Sequence, residues 1–207
     1  LSLPHEQGMA IADEIATDDA ADLIADMAED TKENIFSLFD QEVVDDIQEL
    51  LDYDEETAGG LMTTEFVVVP AYASAEKAID ILRSFSPEAE TIYYVYVIDE
   101  LHHLVGILSL RELIIAPPDA VVEDIMNQSV IAVNVHDDQE KVASQIAKYN
   151  FLAIPVIDDE QHIVGIVTVD DIVDVIQEEA TEDIYRMAGI GEGEEEEDSS
   201  VLAAFKA

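Results

Sequence analysis

A chain of 207 residues with 49 acids against 8 lysines and arginines carries a formal charge of −41, which excludes nucleic acid and anionic membrane surfaces as partners, because no basic patch neutralises phosphate. Hydrophobic residues are 49% of it, enough to bury the core of one large or two small domains and to exclude a disordered polyanion. It has no cysteine, which excludes a disulfide framework, thiolate chemistry and a zinc ribbon.

The first 60 residues read as short helices. Thr17 reads as an N-cap, with Asp18 and Asp19 in the first turn where the helix dipole favours acids. Ala20, Leu23, Ile24 and Met27 then form an apolar stripe at helical spacing. Asp30-Thr31 reads as a second cap before Ile35, Phe36 and Phe39. A third helix is expected over Gln41–Leu51, with Val43, Val44, Ile47, Leu50 and Leu51 inward. Short helices on short connections predict a stacked helical array.

Glu55-Glu56-Thr57-Ala58-Gly59-Gly60 breaks that pattern. A strand over 66–70, a helix over 76–85, strands over 93–98 and 103–108 and a helix from Leu110 to Ile115 follow. The order then recurs as a strand over 130–135, a helix over 139–149, strands over 153–157 and 163–167 and a helix over 170–177. "LMTTEFVVVP" answers "IMNQSVIAVN", with Glu76 and Glu140 offset by 64. "VYVIDELHHLVGILSLREL" answers "IPVIDDEQHIVGIVTVDDI", with Gly106 and Gly165 offset by 59, so the first copy carries five extra residues near Ser84–Tyr94. Such a repeat specifies the architecture better than any single motif. The last helix is expected to run on to about Met187, and "EGEEEEDSS" beyond it reads as a solvated run. No apolar stretch approaches the ~20 residues that span a bilayer, there is no signal peptide, and the start at Leu1 reads as that of a fragment.

Two β-α-β-β-α repeats whose endings are "GILSLREL" and "GIVTVDDI" resemble tandem CBS modules. "TAGGLMT" before the first, "PEAETIYYVYVIDE" inside it and "VTVDDIVDVIQEEATEDIYRMAG" after the second resemble MgtE-type magnesium transporters over nearly the whole chain. The resemblance implies a mixed α+β and α/β chain: an acidic α-helical N-domain, entered late, over 1–56, CBS modules over 57–119 and 120–177, and a connecting or plug helix with an acidic tail over 178–207. It also implies a homodimer formed through the CBS modules, on the cytoplasmic face of a membrane, partnered by a transmembrane domain of the same parent chain. This fragment itself is expected to be soluble and not to conduct ions.

Acids recur at helical spacing: Asp18, Asp22 and Asp26, then Asp170, Asp174, Glu178 and Glu182, with Asp171, Glu179 and Asp183 beside them. Like charges at i, i+4 cost an isolated helix about 0.2–0.5 kcal/mol per pair. From the residues alone a solvated face is the favoured explanation. Mg²⁺, a hard ion that takes oxygen ligands and keeps several waters, suits such acids on two facing surfaces; Mn²⁺ or Ca²⁺ would accept the same ligands. The resemblance implies metal ligands at Asp18, Asp22, Asp138, Asp171, Glu179, Glu182 and Asp183, with Asn150 where an acid is expected. It implies also a cleft for ATP or another adenine nucleotide lined by Tyr94, Arg111, Glu112, Phe151, Pro155, Thr168 and Asp171. An aromatic stacks a base, a carboxylate takes ribose hydroxyls and Arg takes phosphate. The other reading makes Tyr94 and Phe151 core residues and pairs Arg111 with a nearby acid.

His102-His103 falls in a turn and reads as exposed; His5, His136 and His162 are scattered, and no His-x-x-x-His pair suggests zinc. No phosphate-cradling loop, nucleophile elbow or distinguished acid–base pair is present, so no enzyme is expected. The leading reading is a magnesium-sensing region that gates a transporter by divalent-dependent closure of a dimer. The alternatives are an adenine-nucleotide-sensing CBS module that regulates an enzyme or another channel, and an acidic scaffold adapted to salt.

Overall fold

The computed structural model describes residues 15–25, 27–85 and 93–188. The extra residues of the first repeat lie mostly outside these, as do Asp26 and the acidic run after residue 188.

Three short helices open the chain: α1 (Thr17–Ala25), α2 (Glu29–Phe36) and α3 (Gln41–Leu50). In α3, Val44, Ile47 and Leu50 recur at helical spacing and are all buried, each contributing about 1.5–3 kcal/mol on burial. Ala20, Ala21 and Ile24 of α1 join them, but Leu23, expected on the same stripe, is 58% exposed. The inward face of α1 is rotated so that Thr17 and Asp18 are buried instead. Thr17 is therefore not a cap. Its hydroxyl lies 3.3 Å from that of Thr63 and 3.1 Å from that of Thr64, tying α1 to a segment 46 residues away. Helix α2 begins at Glu29 behind Ala28 with no side-chain cap, so Asp30-Thr31 already lies inside it.

Each repeat then builds a three-stranded sheet. In the first, β1 (Val68–Pro70) pairs parallel with β2 (Tyr94–Ile98), which pairs antiparallel with β3 (Leu104–Ser109). Helix α4 (Ala75–Phe85) crosses from β1 to β2, and α5 (Leu110–Ile115) follows β3. After the single turn α6 (Val122–Ile125), the second repeat places β4 (Val133–Asn134), α7 (Gln139–Tyr149), β5 (Ala153–Ile157), β6 (Ile163–Thr168) and α8 (Val169–Ala188) in the same order. The register repeats as well: Val97 opposes Gly106 as Val156 opposes Gly165, and a bulge follows each. The first strand of each repeat is shorter than its apolar run suggested, because residues just upstream turn away from their own sheet.

Those upstream residues exchange modules. Met62-Thr63 precedes the first strand of the first module yet lies on the second module, where Thr63 bridges Ile166. Met126-Asn127 precedes the first strand of the second module yet lies on the first module, where Asn127 bridges Ile107. A Cβ on Gly165 would stand 2.5 Å from Met62 Sδ, and one on Gly106 would run into Met126 Sδ. The glycines that anchor the repeat in sequence are thus the seats for the opposite module's methionines.

One core lies within the first module, around Val69, Val95, Val97, Leu108 and Leu113. A second is shared by the N-terminal helices and the second module, with Ile24, Ile47 and Leu50 packed among Val142, Ile146, Ile172 and Val175. Tyr96, Ala153 and Ile166 bury a third cluster between the modules. Helix α8, 20 residues long, extends about 30 Å at 1.5 Å per residue. Among the described residues no helix is long and apolar enough to cross a membrane.

Candidate functional site

The packing of α1 on the second module carries an acid inward. Asp18 is 9% exposed, and its Oδ1 is buried without a hydrogen-bond partner. Burial, reinforced by the facing charge of Asp171, pushes its pKa up to about 6. Asp171, in the first turn of α8, is also held above the ordinary carboxylate range, chiefly by burial and further by Asp170 and Asp19. The hydroxyl of Thr168 lies 2.5 Å from Asp170 Oδ1 and 2.5 Å from Asp171 Oδ2. A hydroxyl has one proton to donate, so it satisfies only one of these carboxylates at a time. The result is a group of oxygen donors, from α1 on one side and the β6–α8 junction on the other, with more negative charge than the local donors satisfy. Hard oxygen ligands in this setting fit a hard divalent cation such as Mg²⁺.

Of the other residues expected as ligands, Asp138 and Glu179 have partners of their own elsewhere. Asp22 is exposed on α1. Asp138 caps α7, accepting the backbone N–H of Glu140 at 2.9 Å. Glu179 accepts from Gln139 Nε2 at 2.7 Å. Asn150 ends α7 with φ 54°, a left-handed C-cap. Asn tolerates that conformation better than an acid-bearing Glu would, which gives a backbone reason for the amide. The side chains of Glu182 and Asp183 lie outside the described residues.

The aromatic cleft lies beside this acidic group: Leu152, in its wall, accepts the backbone N–H of Val169 at 3.0 Å. A cavity of about 500 Å³ is lined by Tyr93, Tyr94, Ser109, Arg111, Ile114 and Leu152, among others. The Tyr94 ring meets Phe151 edge to face at 6.5 Å. Tyr149, which the sequence reading passed over, stacks on Phe151 at 5.4 Å, with Lys148 Nζ 4.7 Å from its own centroid. Cation and aromatics at the end of a helix were a readable signal, but nothing local joins them to Tyr94. Arg83 and Lys141 are engaged by acids of their own segments, Asp80 and Asp137, whereas Arg111 faces the cavity.

Other residues expected in this cleft have local duties. Glu112 closes a capping box with Ser109: its Oε2 accepts the Ser109 N–H and hydroxyl, both at 2.8 Å, and Ser109 Oγ accepts the Glu112 N–H at 3.2 Å. The bonds from Ser109 hold its pKa below the ordinary range. The pattern Ser-x-x-Glu announces this arrangement in the sequence. Pro155 is a buried residue of β5 opposite Ile166, and Thr168 serves the acidic group above.

Residues 58–119 and 122–178 match the CBS domain family, and residues 2–56 match the MgtE intracellular N domain. The chain is 50% identical over 161 residues to the magnesium transporter MgtE of Enterococcus faecalis, covering 78% of this chain and 35% of that one. It is 47% identical over 153 residues to that of Thermus thermophilus, covering 74% and 34%. It thus spans about a third of the length of these relatives. Among solved structures, the soluble part of a magnesium transporter superposes with a TM-score of 0.81 at 47% identity, covering 86% of this chain and 70% of that one. The cytosolic domain of the Mg²⁺ channel MgtE in complex with ATP superposes with a TM-score of 0.80 at 42% identity, covering 84% and 71%.

Proposed function

Because the chain belongs to the MgtE family of magnesium transporters, we propose that it is a regulatory region on the cytoplasmic face of such a transporter and senses divalent cations through the acids between α1 and α8. The observation that carries this reading is the buried Asp18 facing the half-buried Asp171. A compact arrangement that buries one carboxylate with an orphaned oxygen against a second, half-buried one is costly unless a proton or a cation accompanies it. A bound Mg²⁺ would supply the positive charge that lets both remain ionised. When both carboxylates are ionised and uncompensated, their repulsion favours departure of α1–α3 from the second module. This is a population shift set by differential binding to two arrangements. The family's role is transport and not enzymatic catalysis, so the conclusion for this chain is a switch.

Transmission to a membrane domain rests on α8, which runs continuously from Asp170 and Asp171 to Ala188. A homodimer through the modules is part of the proposal: Ile114 and Ile115 on α5 and Val173 and Ile176 on α8 are 64%, 69%, 49% and 47% exposed. Small-angle scattering of the chain with and without millimolar Mg²⁺, at constant ionic strength, is the direct test. The radius of gyration is expected to fall with Mg²⁺. No compaction sinks the mechanism, and equal compaction by monovalent salt reduces it to screening.

The cleft around Tyr94 and Phe151 supports a second ligand, an adenine nucleotide, and a relative of 42% identity is described in complex with ATP. Base–aromatic stacking contributes about 1–3 kcal/mol, so Phe151→Ala is expected to weaken ATP binding about tenfold by calorimetry. ATP affinity unchanged in that variant would remove Phe151 from the site. Strong nucleotide binding with no divalent response would instead favour a nucleotide sensor.

A further inference from the structure

The turns after β2 and β5 meet where the two modules abut. His103 and His162 form an antiparallel bridge there, and the Leu104 N–H donates to the carbonyl of Gln161 at 3.0 Å. The two imidazoles are stacked, with centroids 5.1 Å apart and planes 7° from parallel. Each Nδ1 faces a carboxylate of its own turn: His103 lies 3.0 Å from Asp99 Oδ2, and His162 lies 2.9 Å from Asp158 Oδ2. The other oxygen of each aspartate accepts backbone N–H groups, from Leu101 and His103 in one turn and from Glu160 and His162 in the other. His102 at φ 68° and Gln161 at φ 72° close the two turns in the left-handed region. The same Asp-x-x-x-His pattern thus stands in both repeats, and the fold lays one copy on the other.

Two opposing influences act on this pair. The bond to Asp158 holds the His162 pKa above the ordinary value. Stacking two imidazolium rings at this distance opposes double charging. The charged and titratable groups around the pair are Asp99, Glu100 and His102 from the first turn and Asp158, Asp159 and Glu160 from the second. Glu160 Oε2 is 3.9 Å from His162 Nδ1. From the N-terminal helical region, Tyr53 faces the charge of Asp158.

We propose that the His103–His162 stack is a proton-responsive latch across the module seam, which takes one proton readily and resists a second, so that the seam is firmest when the pair is singly protonated. The latch shares no residue with the cation or nucleotide sites. The first proton is bound more tightly in the folded chain than in the unfolded one. Its stabilisation is therefore complete below the unfolded histidine value near 6.5 and is lost as pH rises through the raised folded value. The second proton reverses the gain, and the two steps belong to the pair as a whole.

The test follows the imidazole resonances of the whole 207-residue chain by NMR from pH 5 to pH 8.5. The expected result is two macroscopic steps separated by about one pH unit. In His103→Gln and in His162→Gln the remaining ring is expected to titrate in a single step. Identical, independent midpoints for both rings in the unaltered chain would overturn the proposal, and this needs no variant to fold. Retention of two steps by the remaining ring in folded His103→Gln would overturn it too.

Discussion

Asp18→Asn is expected to stabilise the chain by about 2 kcal/mol at pH 8 without divalent cations, and to abolish the stabilisation that Mg²⁺ confers on the unaltered protein. The folded chain holds the Asp18 proton up to about pH 6, whereas the unfolded chain releases it near 3.8. Between those values the native state binds more protons, so stability falls as pH rises. The full interval corresponds to roughly 3 kcal/mol at 1.36 kcal/mol per unit, reduced here to about 2 because the carboxylate is not wholly removed from solvent. Asn keeps the shape and removes the charge, so the variant should lack this pH dependence. Urea denaturation at pH 5 and pH 8, with and without Mg²⁺, reads both effects. A variant with the same pH slope and the same Mg²⁺ response as the parent would show that Asp18 is neither the titrating group nor a ligand.

Gly165→Ala is expected to destabilise the chain by about 2–3 kcal/mol. The new methyl would lie 2.5 Å from Met62 Sδ, 2.7 Å from its Cγ and 3.0 Å from its Cβ. Met62 is fully buried, so the whole side chain must move, not its tip alone. Met62→Ala is expected to cost about 2–5 kcal/mol by cavity formation. The double variant should cost less than the two separate effects combined, because the alanine methyl enters space that the thioether vacates. A coupling of at least about 1 kcal/mol is the expected outcome of the double-mutant cycle. Strict additivity would mean that the contact does not hold the first module's lead-in segment on the second. Because that segment joins the N-terminal helices to the modules, the same contact fixes where α1 can dock.

Local periodicity carried much of this protein in its sequence. The span of α7 follows from its apolar spacing and from Asp138 and Asn150 at its ends, and the spans of β5 and β6 from short apolar runs between turns. The offset of 59 between Gly106 and Gly165 announced two equivalent modules. Residues within one helix or one strand impose these patterns through backbone geometry alone, so they survive in a one-dimensional reading. Glu112 was equally legible as half of a capping box with Ser109, yet chemistry drew attention to its carboxylate before its local partner did.

The tertiary structure decided which identical-looking residues became distinctive. Asp18 and Asp22 share a helical spacing, but only Asp18 turns inward, because Thr17 is drawn to Thr63 and Thr64. Tyr149 and Tyr94 join one aromatic cluster through Phe151 from separate repeats. His103 and His162 are ordinary turn residues until the modules pack and stack them. The acidic helices were evident from composition, whereas the candidate cation site was not. A charge becomes a site when packing removes its water and sets another charge against it, and both depend on segments far apart in the chain.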